Sequence, residues 1–260
     1  MTHHPRPGGR PLREMTVTLA LRLGFLALLL LLWEALARQA PPGLFAGPRE
    51  VLEALARLWS EGRLAPALAA SLKVYLTGTL AAILAGIAIG TAMGMSRTIA
   101  RTIDIYVHAL AATPRVAFIP LIIVAVGLGW QAKALVVFLG AVMPAILNSY
   151  AGVRNADPDL VEMARATGAS RGRILWHVVL PGALPFLLAG VRIGATIGLI
   201  NTVVAELYTA VSGLGGLLAI YGGRFRMAEY LAVVLVLALV GVVVTEGLRI
   251  VERRLLRWRN

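Results

Sequence analysis

The sequence predicts an all-α membrane protein with six transmembrane helices, and three observations carry that prediction. Of its 260 residues 58% are hydrophobic, against roughly 45–50% in a soluble domain, and the mean hydropathy is +0.80. The apolar residues fall in blocks of about 18 or more, the length that crosses a hydrocarbon core. The arginines cluster between the blocks and give a formal net charge of +12. In a soluble chain that charge would point to nucleic acid. Between apolar blocks it follows the bias of Lys and Arg toward the cytoplasmic side, so no nucleic-acid partner is expected. There is no cysteine, which excludes disulfides, Fe–S clusters and thiolate zinc sites. His3, His4, His108 and His177 show no ligand spacing.

Taken in order, residues 1–16 form a polar cytoplasmic tail, and the first span covers about Val17–Ala37. Trp33 and Glu34 stand where a signal peptide would have its small-residue cleavage site, so this block is read as a retained anchor. Pro41, Pro42 and Gly43 mark a loop. Arg49–Glu61 has Val51, Leu52, Leu55, Leu58 and Trp59 at helical spacing, with Pro48 to start it, Gly62 to end it and Glu53–Arg57 as an i,i+4 pair. It is expected at the outer membrane surface.

The second span, about Ser71–Met95, has Gly86, Gly90 and Gly94 at four-residue spacing, the pattern that lets helices approach closely in lipid. The third begins near Ile103, is broken at Pro114 and Pro120, and ends at Gly127. The fourth covers about Ala134–Ala151. A polar loop, 154–182, follows. The fifth span is Leu184–Tyr208 and the sixth about Tyr230–Thr245. A basic tail, 253–260, closes the transmembrane domain, 17–252. Arginine counts place both termini and the 154–182 loop in the cytoplasm.

That loop encodes two short helices. Asp157 caps the first with Pro158 in its first turn, or Asp159 and Glu162 form the N-terminal pair. Gly168 ends it, Ser170 caps the second, and Pro181 is expected to stop the second. A helix–Gly–helix element with Ile174, Leu175 and Trp176 beside Arg165, Arg171 and Arg173 suits docking into a groove on another protein.

Glu162-Met163-Ala164, then Gly168 after three residues, then Leu180-Pro181 resembles the EAA loop of binding-protein-dependent ABC importer permeases. Met163 and Val178 are mild substitutions in that pattern. The resemblance covers about Trp33–Trp258 and is strongest to the nitrate, sulfonate, taurine and bicarbonate branch. It is also carried by Thr113-Pro114-Arg115, Gly127-Leu128-Gly129, Ala205-Glu206 and Ser212-Gly213-Leu214-Gly215. Where that branch often has Trp-Phe, this chain has Ala125-Val126. The resemblance implies a type I importer permease fold and a homodimer. It implies a cytoplasmic ABC ATPase dimer docked on Glu162, Met163, Ala164, Gly168, Ile174, Leu175, Trp176, Leu180 and Pro181. It further implies a periplasmic or lipid-anchored substrate-binding protein and transport of a small anion. The chain itself has no phosphate-binding loop, so ATP and Mg²⁺ belong to the partner, and no cofactor, metal or catalytic residue is expected here.

In the fifth span Arg192, Thr196, Thr202 and Glu206 share one helical face, with Asn201 opposite. Two readings stay open. The stripe lines the translocation pathway, with Arg192 attracting an anion, or Arg192 and Glu206 pair with neighbours for packing. Rival functions are an importer permease for a thiamine precursor or other heteroaromatic metabolite, and an ion-coupled secondary carrier.

Overall fold

A computed structural model describes residues 12–41 and 43–257; Arg6, Arg10, His3, His4 and Trp258 lie outside them. Within them the regular structure is entirely helical. The elements are α1 (Leu12–Gln39), α2 (Pro48–Ser60), α3 (Leu64–Met95), α4 (Arg97–Ala112), a 3₁₀ turn (Arg115–Phe118), α5 (Ile119–Val126), α6 (Trp130–Arg154), α7 (Pro158–Ala166), α8 (Arg171–Ile174), a π-helical turn (Leu175–Val179), α9 (Leu180–Thr209), α10 (Leu214–Gly223) and α11 (Met227–Leu255). Five helical segments are long and apolar enough to cross a membrane. The pair 97–112 and 115–126 makes a sixth span, bent by 88°.

The bend sits where proline puts it. Pro114 has no N–H to continue the α4 ladder, and Thr113 before it is extended, at φ −77 and ψ 132. Pro120 does the opposite and lies in the first turn of α5. The span also begins earlier than expected. Ser96 Oγ accepts from Ile99 N–H at 3.4 Å, so the helix starts at Arg97 rather than near Ile103.

Helices α3, α6 and α9 form the centre. A Cβ on Gly78 would stand 2.6 Å from the Ala134 carbonyl oxygen, and Gly86, Gly90 and Gly94 meet Ala145, Ser149 and Val153 in the same way. Lipid supplies no hydrophobic drive between helices, so this backbone approach and the dispersion contacts it allows hold α3 to α6. Gly190 and Gly194 of α9 press on Asn148 and Ala141 of α6, while Gly198 faces Thr79 of α3.

A second cluster caps the Trp130 end of this centre. Val51, Ala54 and Leu58 of α2 pack with Leu214, Leu218 and Tyr221 of α10 and with Ala232 and Val233 of α11. Leu52 and Trp59, expected on the same apolar face, are exposed at 59% and 67%. The expected Glu53–Arg57 pair does not form. Glu53 pairs with Arg49 at 3.0 Å, and Arg57 reaches the nearly buried Glu229 at 3.2 Å, a less hydrated partner. Helix α1 starts at Leu12 rather than Val17 and stands apart from the bundle. It is tied by its last turns, where Trp33 Nε1 donates to the Ala46 carbonyl at 3.0 Å. At the other end α11 runs without a break through Arg253 and Arg254, so the boundary expected at 252 is not a structural one. Arginines suit the last turn of a helix, where they face its negative end.

Candidate functional site

The segment after α6 folds into an elbow. Asp157 Oδ1 accepts from Asp159 N–H at 2.9 Å with Pro158 in the first turn, so Asp157 is the cap of α7. The helix ends at Gly168, whose φ of +78 is the left-handed conformation that a Cβ disfavours. Two bonds close it, Gly168 N–H to Arg165 at 2.9 Å and Ala169 N–H to Ala164 at 3.0 Å, and these satisfy the last carbonyls of α7. Ser170 Oγ then accepts from Arg173 N–H at 3.4 Å and starts α8.

Pro181 does not stop this second helix. The chain widens into the π turn, in which Leu180 N–H bonds the Leu175 carbonyl, and it continues directly as α9. Proline's missing N–H and its ring against the preceding turn are absorbed by this wider geometry. The second half of the elbow, α8 and the π turn, is therefore helically continuous with the fifth span.

The expected docking residues divide. Glu162, Met163, Gly168 and Trp176 are exposed, Met163 at 61% and Trp176 at 69%. Ala164, Leu175, Leu180 and Pro181 are half-buried. Ile174, expected on the docking face, is turned inward. It is 5% exposed and packs with Val153, Val179, Ala183 and Leu187, pinning the elbow to the bundle. Glu162 lines a cleft with Arg97, Arg154 and Arg165, and within 4 Å it has no ion-pair partner among the described residues.

The polar stripe of α9 also divides. Arg192 and Thr196 are exposed, and Arg192 pairs with Glu252 of α11 at 3.1 Å. Thr202 and Glu206 are buried, at 1% and 0% exposure. Thr202 Oγ1 bonds the Gly198 carbonyl at 2.9 Å. Within one chain the four residues therefore do not line one open face. Asn201, on the opposite side, is buried against Gly140 of α6.

Glu206 instead organises a junction that the sequence reading did not assemble. Ser71 Oγ lies 2.9 and 2.8 Å from its two carboxylate oxygens, and Gly215 N–H donates to it at 2.9 Å. The Leu214 N–H donates to Ser71 Oγ at 2.8 Å. Beside it the buried Lys133 donates to Ser212 Oγ at 2.8 Å and to the Ser212 carbonyl at 3.3 Å. A carboxylate thus meets the positive end of α10 and ties it to α3 and α9. The signal for Lys133 was a lone lysine inside an apolar run, since an ionisable residue within a span marks a site by default.

Residues 64–257 match the family described as binding-protein-dependent transport system inner membrane component. The chain belongs to this family. Individual relatives agree, one of them over nearly its full length. The taurine transport system permease protein TauC of Escherichia coli is 34% identical over 92% of this chain and 90% of its own length. The putative aliphatic sulfonates transport permease protein SsuC of Escherichia coli is 38% identical over 60% of this chain and 59% of its own. In fold, the inward-facing MetNI methionine ABC transporter superposes with a TM-score of 0.64 at 20% identity, over 79% of this chain and 97% of that one.

The chain is thus a multi-pass membrane transport subunit, a permease of an ABC importer. Among the described residues no three His, Asp or Glu side chains gather as a metal site would need.

Proposed function

We propose that this permease, as a homodimer, forms the translocation pathway of an ATP-driven importer for a small anion of the sulfonate or taurine type. The full-length similarity to a taurine permease supports the substrate class. The observation that carries the mechanism is the elbow: an exposed α7 with Glu162 and Met163 on it, joined through Gly168 to α8, which passes through an unbroken π turn into α9. A cytoplasmic ATPase dimer docks on Glu162, Met163, Gly168 and Trp176 and supplies ATP and Mg²⁺. Closure of the ATPases moves α7, and because α8, the π turn and α9 are one continuous rod, the fifth span moves with it. Arg192 and Thr196, the exposed part of the α9 stripe, face the pathway at the elbow end. The substrate-binding protein delivers from the opposite face, which α2 and α10 build. The permease itself performs no catalysis.

The test is a pull-down from native membranes combined with uptake. The unaltered permease retains an ABC ATPase, and a Glu162→Lys, Gly168→Val double variant loses it. Cells with the intact system take up labelled taurine or an alkanesulfonate in an ATP-dependent manner. Retention of the ATPase by the double variant refutes the docking assignment. Uptake of a neutral aminopyrimidine in place of the anions reassigns the substrate to the thiamine-precursor class. Uptake driven by an ion gradient without ATP makes the protein a secondary carrier.

A further inference from the structure

The cations inside the spans nearly all have an account. Lys73 lies over the Trp130 ring, 4.4 Å from its centroid. Lys133 bonds Ser212, and Arg192 pairs with Glu252. Arg22 stands on the exposed surface of α1, where a long side chain reaches the membrane boundary.

Arg115 is different. It opens the 3₁₀ turn at the 88° bend of the third span. It makes no hydrogen bond or ion pair among the described residues, and its Nε is buried without an acceptor. The residue as a whole is only half-buried, so the stem of the guanidinium is covered by protein while its tip is reachable. Its depth follows from its neighbours. α4 packs with Phe138–Tyr150 of α6, and α5 packs with Ala132, Val136 and Leu139. The joint between them is therefore level with about Val137, roughly 10 Å inside the Trp130 end of α6 at 1.5 Å per residue.

An unpaired guanidinium at that depth needs a counter-charge. Among the described residues no carboxylate supplies one. Within the spans Asp104, Glu206, Glu246 and Glu252 are engaged by His108, by Ser71 and the Gly215 N–H, by Arg249 and by Arg192. Of the other described acids, Glu14 is in the first turn of α1 and the rest lie in the elbow or around α2 at the Trp130 end. A second copy would offer the same set. Non-helical backbone at membrane depth also persists only where protein covers it or where it borders water, and broken helices are where transporters place polar ligands.

We propose that Arg115 is the cationic contact for the transported anion at the bend of the third span. A sulfonate or comparable oxyanion docks on its two terminal nitrogens as a carboxylate or phosphate would. This rests on the reading that the importer carries an anion.

The experiment uses the complete importer, with its ATPase and binding protein, reconstituted in liposomes and supplied with labelled taurine and labelled ethanesulfonate. With saturating liganded binding protein, Arg115→Gln is expected to lower the maximal uptake rate about tenfold or more, and Arg115→Lys, which keeps the charge but loses the two-nitrogen fork, to fall clearly less than Arg115→Gln. Both variants are expected to elute as the intact complex on size exclusion. Wild-type uptake by Arg115→Gln overturns this inference alone. Failure of Arg115→Gln to assemble, or equal loss in the Lys and Gln variants, makes Arg115 a packing residue and also overturns it. A wild-type complex that carries neither anion overturns the anion reading and this inference together.

Discussion

At the scale of single residues, the difference between a partner close in sequence and one far away decides what could be read in advance. Asp157, Gly168 and Ser170 act on backbone groups within a few positions of themselves, and their roles follow from residue type and spacing. Glu206 and Lys133 act on Ser71 and Ser212, 135 and 79 residues away, and only the packing of α3, α6 and α9 brings those together. Arg57 was expected to pair with its neighbour Glu53 and instead reaches Glu229, 172 residues on. The Glu206 junction has a measurable consequence. Ser71→Ala removes the hydroxyl that both donates to the carboxylate and accepts the Leu214 N–H, and leaves two buried groups short of a partner. The expected cost is about 2–3 kcal/mol, read as a lowered midpoint in thermal unfolding of the detergent-solubilised permease. Glu206→Gln added to Ser71→Ala is expected to cost less than the two changes do separately, because they remove one shared interaction. Additive losses would show that the two residues act independently.

At the scale of elements, the elbow was legible up to its exit and not beyond. Pro181 reads as a stop because proline breaks the i,i−4 ladder, but a π turn of one residue's extra width lets the helix pass it. Ile174 reads as part of an apolar docking face because its own neighbours are cationic. Its burial depends on Val153 at the end of α6 and Ala183 at the start of α9. The joint at Gly168 gives a sharper test of the elbow than any side-chain contact. An added Cβ there meets nothing within 4 Å, so a substitution fails only through its φ of +78. Asparagine tolerates that conformation and β-branched residues do not. Gly168→Asn is therefore expected to keep most ATP-driven uptake, and Gly168→Val to lose most of it with the bundle still folded. Equal activity in the two would mean that the angle between α7 and α8 is not what transmits motion.

At the scale of the whole molecule, the arginines are sorted by their partners as well as by position. At the Trp130 end Arg38, Arg49, Arg57, Arg63 and Arg226 are each held by a glutamate, leaving Arg224. At the elbow end Arg97, Arg101, Arg154, Arg165, Arg171 and Arg173 have no carboxylate within 4 Å among the described residues. The Arg192–Glu252 pair brings the last turns of α11 to the same end. Free positive charge thus gathers on one face, the arrangement retained on the side of the anionic cytoplasmic leaflet. The absence of cysteine makes the orientation directly testable, because every introduced thiol is the only one. Gly172 in the elbow and Phe225 beside α10 are both exposed, Phe225 at 66%. A membrane-impermeant maleimide is expected to label Phe225→Cys, and not Gly172→Cys, in intact cells, and to label Gly172→Cys once membranes are inverted. The reverse pattern would put the elbow outside, beyond the reach of any cytoplasmic ATPase, and the coupling mechanism would fall with it.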